Sequence, residues 1–306
     1  MLAGGVGAAK FLRGLSRRID QRYLSVIVNT GDDEEFFGLH VSPDVDTVVY
    51  TLAGIVNRAN GWGLEGDSFN ALEALARFYG KPWFNLGDRD IATNLYRSER
   101  LRAGAALSEV TREITSRLGV RAHIMPMTDA RVRTFVRIKG RPSMPFQEYF
   151  VRRRARGMVE AIELRGADEA PALPEALSAM ENADKVILAP SNPFVSLGPI
   201  LQLKDMRPAL RAKRDQVVAI SPIVGGKTVK GPADRMLRGL GHEVSPLGVA
   251  KLYRDFVGVF VLDQRDRRFA QSINELGMRA VVTDTIMLTP AHAARLADVV
   301  LRAREV

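Results

Sequence analysis

The sequence predicts an α/β fold, a Rossmann-like core with a mostly parallel sheet plus a smaller inserted subdomain. Three observations carry that expectation. Short β-branched runs at residues 24–28, 185–188, 216–220, 258–262 and 279–283 alternate with helical patterns, the rhythm of βαβ units. Most of these runs lead directly into a loop holding Gly, Asp, Ser or Pro, where open α/β sheets place their ligands. Residues 120–165 break the rhythm with short alternating stretches and turns. The expected organisation is a nucleotide- and metal-binding core of residues 1–119 and 175–306 around an insert at 120–174.

Taken in order, Met1-Leu2-Ala3 is short for the strand that should precede the first glycine loop, since strands usually run about 5–6 residues. A true N-terminus upstream is expected over a clipped strand. Residues 108–118 read as a helix, with Ser108 as N-cap and Gly119 as stop. Within the insert, residues 132–138, 147–151 and 159–164 read as short strands, the first followed by the turn Lys139-Gly140-Arg141-Pro142. Residues 166–174, rich in Ala, Pro and acids, read as a connector. The last helix begins near Pro290 and carries Ala293, Leu296, Val299 and Val300 on one face.

Bulk properties exclude several classes. At 306 residues, 46% hydrophobic and 26% charged, the chain can bury a large core as one enlarged domain or two smaller ones. No apolar run approaches the roughly 18–20 residues of a membrane span, and no secretory signal is visible, so a cytoplasmic protein is expected. The absence of cysteine removes disulfides, thiolate nucleophiles and cysteine-held metals. Four histidines form no HExxH-like cluster, so any metal should be a hard cation on oxygen ligands. The net charge of +9 is spread over many helical segments; it would attract a small polyanion as readily as nucleic acid. No nucleic-acid module is recognisable.

Six loops carry candidate chemistry. Gly4-Gly5-Val6-Gly7-Ala8-Ala9-Lys10 opens a helix, and small residues there let the backbone approach an anion at the helix N-terminus. It is neither a P-loop nor a full dinucleotide fingerprint, because Lys10 stands where a third small residue belongs; a plain tight turn is the alternative. Asn29-Thr30-Gly31-Asp32-Asp33-Glu34-Glu35 follows the next strand and reads as a ribose acid, a metal acid or a solvated turn. In Ser42-Pro43-Asp44-Val45-Asp46-Thr47 one aspartate can cap the helix while the other projects into a cleft; with Asp32 nearby, a Mg²⁺ site is reasonable. Leu86-Gly87-Asp88-Arg89-Asp90-Ile91-Ala92-Thr93 pairs acids at a helix start with an Arg, either facing phosphate or forming a structural ion pair. Ser191, Asn192 and Ser196 offer short polar groups on a loop stiffened by Pro190, Pro193 and Pro199. Lys227 and Lys230 flank Gly225, Gly226 and Gly231 after another strand, a further anion contact or ordinary surface lysines.

The runs AGGVGAAKFLRGL, VNTGDD, SPDVDTVVYTLAG, GDSFN, LGDRDIAT, MPMTD, APSNPFVSLGPIL and SPIVGGKTVKGPAD together resemble the 2-phospho-L-lactate transferase family. Leu197 stands where the family pattern has Ile, a mild change. The resemblance implies a transferase of coenzyme F-420 biosynthesis. It would move a phospholactyl or phosphoenolpyruvyl group from a guanosine diphosphate ester to the ribityl hydroxyl of 7,8-didemethyl-8-hydroxy-5-deazariboflavin (Fo), releasing GMP. It also implies Mg²⁺ and a homodimer. By position, Asp46 would be the main metal acid, with Asp32 and Asp44 as partners; Asp46 and Asp32 are the candidates to orient or deprotonate the hydroxyl. The loops bearing Gly4, Gly5, Gly7 and Lys10, and Ser191, Asn192 and Pro193, would hold the nucleotide diphosphate. Asp88, Arg89 and Thr93 would lie near the acceptor. The rival readings are a non-enzymatic nucleotide-sugar-binding regulator of a related family and, behind it, a NAD-dependent dehydrogenase. The motifs SPDxDT and LGDRDxAT favour the transferase.

Overall fold

The computed structural model describes residues 1–303. Fourteen strands occur among them: β1 Leu2–Ala3, β2 Ser25–Val28, β3 Glu34–Phe36, β4 Leu39–Val41, β5 His123–Pro126, β6 Arg133–Ile138, β7 Met144–Pro145, β8 Val159–Arg165, β9 Val186–Leu188, β10 Val217–Ile220, β11 Ile223–Val224, β12 Lys227–Thr228, β13 Val259–Asp263 and β14 Arg279–Thr283. Seven of these form one parallel sheet in the order β14-β13-β10-β9-β1-β2-β5. The chain therefore winds outward from β1 in one direction through β2 and β5, then returns to β9 and winds the other way. That reversal between β1 and β9 is the switch point at which doubly wound sheets open a crevice at the carboxyl ends of their strands.

Alternation along each strand sends successive side chains to opposite faces. Leu2, Ile27, Leu188 and Ala219 face one buried cluster, and Ala3, Val26, Ile187 and Val218 face the other. Helices α1 Gly5–Leu15, α2 Pro43–Leu52 and the C-terminal helix Pro290–Arg302 contribute to the second cluster, through Phe11, Val48 and Leu296 among others. Pro290 opens that last helix at its first turn, with Thr289 as N-cap accepting the His292 N–H. Ala293, Leu296 and Val300 are buried as the pattern predicts; Val299 is only half-buried.

Further along are α3 Asn70–Tyr79, α4 Asp88–Arg102 and α5 Leu107–Arg117. The last was expected to start from Ser108, but Ala106 is the N-cap and the Glu109 carboxylate accepts the Ala106 N–H at 3.0 Å. Ser108 already lies in the helix, its N–H and hydroxyl both donating to Asp129 at 2.7 and 2.9 Å. Gly119, at φ +69°, follows the helix end as expected.

The segment expected to be an insert divides between two structures. Residues 123–126 are β5, the edge of the central sheet, whereas β6, β7 and β8 form a separate three-stranded antiparallel sheet. The strand expected at 147–151 is instead a π-helical turn, Glu148–Arg152. There Tyr149 is buried among Val136, Ile138 and Phe146, which a two-residue alternation could not achieve while also leaving Phe150 beside Phe146. No helix among the described residues is long and apolar enough to cross a membrane.

The α1 helix and the C-terminal helix touch backbone to backbone at Gly14, where a Cβ would fall 2.3 Å from the Ala293 carbonyl carbon. Ala ordinarily stabilises a helix interior by about 1 kcal/mol over Gly. Here overpacking wins, and Gly14→Ala is expected to cost about 1–3 kcal/mol, read as a melting temperature lower by several degrees.

Candidate active site

The central strands β1, β2, β9 and β10 carry candidate loops at one edge of the sheet, and a cavity of about 430 Å³ opens there; the segments at 42–47, after the β3–β4 hairpin, and 86–93, before α4, reach it from outside the sheet. Its floor is the meeting of two loops at the switch point, residues 4–7 after β1 and residues 190–196 after β9. A Cβ on Gly7 would lie 2.4 Å from the Pro190 carbonyl oxygen, and one on Gly4 would lie 2.8 Å from the Ser196 Cβ and 2.9 Å from Asp44 Oδ2. The glycines are therefore required by protein–protein approach as well as by any ligand. Gly4 is the N-cap of α1 and offers no side chain, so the first-turn amides of α1 stay largely open to an anion.

Asp44 serves that same helix end. Though it sits in the first turn of α2, it does not cap its own helix; its Oδ1 accepts the Gly5 N–H at 2.8 Å and its Oδ2 the Asn29 amide at 3.0 Å. Asn29 in turn accepts the Gly31 N–H at 2.9 Å, which turns the chain after β2 and brings Asp32 to the wall. Asp32 is buried, and its Oδ1 has no hydrogen-bond partner. Burial, reinforced by the negative charges of Asp44 and Asp33, holds its carboxyl well above the ordinary range, and burial pushes Asp44 up to about 6. Asp33 turns away, accepting from the Ser42 hydroxyl at 2.6 Å and lying 2.9 Å from His40 Nε2.

Asp46 is placed differently from its two neighbours. Both of its oxygens are taken by the guanidinium of Arg97, through Nη1 at 3.0 Å and a second, shorter bond from Nη2. Arg97 is fully buried on α4, where Asn94 accepts a further bond from Nη1 at 2.6 Å. One helical face of α4 thus carries Asp90, Asn94 and Arg97, spaced by four and three residues. Asp90 lines the cavity and accepts the Tyr50 hydroxyl at 2.9 Å; burial, then the charge of Asp46, pushes its carboxyl up to about 7. The stripe at 90, 94 and 97 is visible in the sequence, but nothing in it shows that Arg97 reaches Asp46, 51 positions away.

Other candidates divide between wall and scaffold. Gly4, Gly5, Gly7, Lys10, Asp32, Asp44, Asp46, Ser191 and Asn192 line the cavity; Pro193 does not, and Pro190 takes that place. The Ser191 hydroxyl donates to the Gly4 carbonyl at 2.7 Å and Asn192 Oδ1 accepts the Phe194 N–H at 2.9 Å, so both side chains brace the floor. Asp88, Arg89 and Thr93 are not on the wall. Asp88 accepts from Ser68, Asn70 and Ala71 at the start of α3, and Arg89 is exposed, donating to the Glu65 carbonyl at 3.0 Å. Of that motif it is Asp90 that faces inward. The sequence also gave no sign that the π-helical segment supplies Phe146 and Phe150 to the wall, their rings stacked with centroids 5.4 Å apart.

The donor set fits a hard cation of the Mg²⁺ kind. Mg²⁺ is held by one or two carboxylates plus substrate phosphates and keeps several waters. Asp32, with an unpartnered buried oxygen next to Asp44, matches that need. No cluster of three or more Asp, Glu or His among the described residues would cage a metal alone, so phosphate oxygens would complete the sphere.

Comparison with known proteins gives the family and the fold. The family model described as 2-phospho-L-lactate transferase CofD matches residues 1–299. A 2-phospho-L-lactate transferase of Methanosarcina mazei is 38% identical over 99% of both chains. A phosphoenolpyruvate transferase of Thermobifida fusca is 41% identical, covering 100% of this chain and 98% of its own. A crystal structure of a UPF0052 family protein from Bacillus halodurans shares the fold, with a TM-score of 0.66 at 16% identity over 98% of this chain and 97% of that one. A family match over almost the whole length, with relatives well above 30% identity end to end, means that the chain belongs to the 2-phospho-L-lactate transferase CofD family and is a transferase.

Proposed function

We propose that this chain transfers a phospholactyl or phosphoenolpyruvyl group from a guanosine diphosphate ester to the ribityl hydroxyl of Fo, releasing GMP, in coenzyme F-420 biosynthesis. The observation that carries this reading is the pairing, in one cavity at the switch point, of the glycine-opened N-terminus of α1, where Asp44 takes only the Gly5 N–H, with two buried aspartates. The relatives' names supply the transferred group in two versions, and the donor's ester is left to the assay. A homodimer and a cytoplasmic location belong to the same reading.

Transfer between oxygens needs alignment and charge neutralisation rather than a protein nucleophile. The α1 amides and the backbone of residues 190–192 would hold the diphosphate. Asp32 and Asp44 would hold Mg²⁺, which supplies charge neutralisation at phosphate oxygens. The hydroxyl oxygen forms the new bond to the phosphorus bearing the lactyl or enolpyruvyl group as the bridging P–O bond to the guanylate breaks. Asp90, a wall carboxyl poised near neutrality, takes the hydroxyl proton. Burial first, and then the negative charge of Asp46 against the opposing charge of Arg97, keep Asp90 in that range, while both oxygens of Asp46 are held by Arg97.

Incubation with Fo, Mg²⁺ and the guanylylated lactate or enolpyruvate donor is expected to release one GMP per product; nucleotide binding with no release would mark a regulator and overturn the proposal. The aspartates separate by variant. Asp32→Asn is expected to raise the melting temperature of metal-free protein, because it removes a buried unpaired charge, and to abolish the Mg²⁺-dependent rise expected of the parent. Asp46→Asn should instead lower stability by about 3–5 kcal/mol with or without Mg²⁺, because it strands the Arg97 guanidinium.

Asp90 carries a pH signature. Its folded pKa lies above its unfolded value, so folding takes up a proton between those values and stability falls as pH rises through about 4 to 7. Asp90→Asn is therefore expected to stabilise the protein at pH 8 by about 1–3 kcal/mol, with no gain below pH 4. The same variant should lose roughly 10²-fold in turnover. Calorimetric melts at both pH values and initial rates check the two halves.

A further inference from the structure

Two ammonium groups on the cavity wall have no acid to balance them. Lys10 stands in the second turn of α1, and Lys230 follows the β11–β12 hairpin; both line the cavity. Among the described residues neither comes within 4.0 Å of a carboxylate oxygen. Lys230 as a whole is exposed, but partial burial of its ammonium and the charge of Lys10 hold it below the ordinary lysine range. Its Nζ donates to the Asn60 carbonyl at 2.6 Å, joining two rim loops that also bring Trp62 and Val229 to the cavity.

The positive field continues past Lys10. That residue also borders a small recess of about 20 Å³ lined by Arg13 and Arg58. Arg13 is held below its usual range by burial and by the charges of Arg58 and Arg17, and its Nε is buried without a partner. Like charges gathered in partly desolvated positions repel one another unless an anion comes between them. The cavity wall thus carries both signs: the carboxyls of Asp32, Asp44 and Asp90, and the unpaired cations of Lys10 and Lys230, which lie close enough to repel each other.

We propose that Lys230, with Lys10, grips the guanylate phosphate that departs as GMP, forming the cationic half of the donor site. The inference rests on the transferase reading above. As the bridging P–O bond breaks, its electron pair stays on the guanylate oxygen and the charge of that phosphate grows by one unit. The hydroxyl proton has gone to Asp90, so atoms and charge balance. A cation at the leaving oxygen binds the transition state more tightly than the intact donor, because the charge it meets is larger there. Its removal must therefore show in kcat more than in KM.

Lys230→Met, Lys230→Arg and Lys10→Met, each checked for a parental melting curve, would be compared in turnover with the guanylylated donor and Fo. Calorimetry would give their affinity for GMP. Lys230→Met is expected to lower kcat roughly 10²–10³-fold while the donor KM moves less than about tenfold. GMP binding should weaken in both Met variants, and Lys230→Arg should recover part of the lost rate. Unchanged kcat in Lys230→Met, or a loss confined to KM, overturns the proposal. If the parent releases no GMP, the transferase reading fails separately. GMP affinity then decides the clamp alone: a drop of about tenfold or more in both Met variants supports it, and parental affinity overturns it.

Discussion

The ion pair between Asp46 and Arg97 organises the site. Asp32, Asp44, Asp46 and Asp90 are all buried around one hollow, and burial alone would drive each toward its neutral form. Arg97 is the fully buried guanidinium that meets them, and it spends both of its bonded nitrogens on Asp46. One carboxylate is thereby bound by both of its oxygens to a cation. Its field falls on Asp90, while Asp32 and Asp44 lean on each other instead. A desolvated pair of this kind adds little net stability, yet breaking it leaves an uncompensated charge. Its value here is that four chemically identical side chains come to sit in different surroundings, Asp46 against a guanidinium, Asp90 against the Tyr50 hydroxyl, and Asp32 and Asp44 beside each other at the α1 end of the cavity.

The second constraint is geometric. The strand order places the loops after β1 and β9 side by side, and glycine at positions 4 and 7 lets their backbones close to contact distance. Asp44 then ties the N-terminus of α1 to the loop after β2 through Gly5 and Asn29. Four segments of the chain, at 4–7, 29–31, 44 and 190–196, are thus locked by main-chain approach and one carboxylate. The α4 helix adds the polar stripe from the side.

Much of this was legible in the amino-acid pattern, and the failures have identifiable causes. Residues 279–283 form β14 as read, and β2, β9, β10 and β13 lie within one residue of expectation, because buried β-branched runs bounded by turn residues leave few alternatives; β5 was hidden in the segment read as an insert. The glycine loop, Asp32 and the loop at 190–196 could be gathered because all follow strands of one parallel sheet, whereas Asp44 reaches them from the helix after the β3–β4 hairpin. The π-helical turn at 148–152 has no periodic signature distinguishing it from a short strand. In the motif at 86–93, adjacent aspartates two positions apart point to different sides of a helix start, so Asp88 caps α3 while Asp90 enters the cavity. Arg97 was invisible as a site residue because its partner is remote in sequence, and a buried arginine is rare enough that a solvated one is the default.

The close packing of Gly4 and Gly7 has a consequence for how such a protein diversifies. A floor assembled from main chain cannot be recut by exchanging side chains, since a single methyl at either position collides with backbone or with the Asp44 carboxylate. Variation in what the cavity accepts has to be written instead on its rim, where Trp62, Phe150, Val229 and Met287 project from loops and a helical turn that carry no comparable constraint. A lineage could trade one small acid for another there while its phosphate-handling floor stayed the same, and the two substrate names borne by its relatives are the kind of divergence that such a division permits.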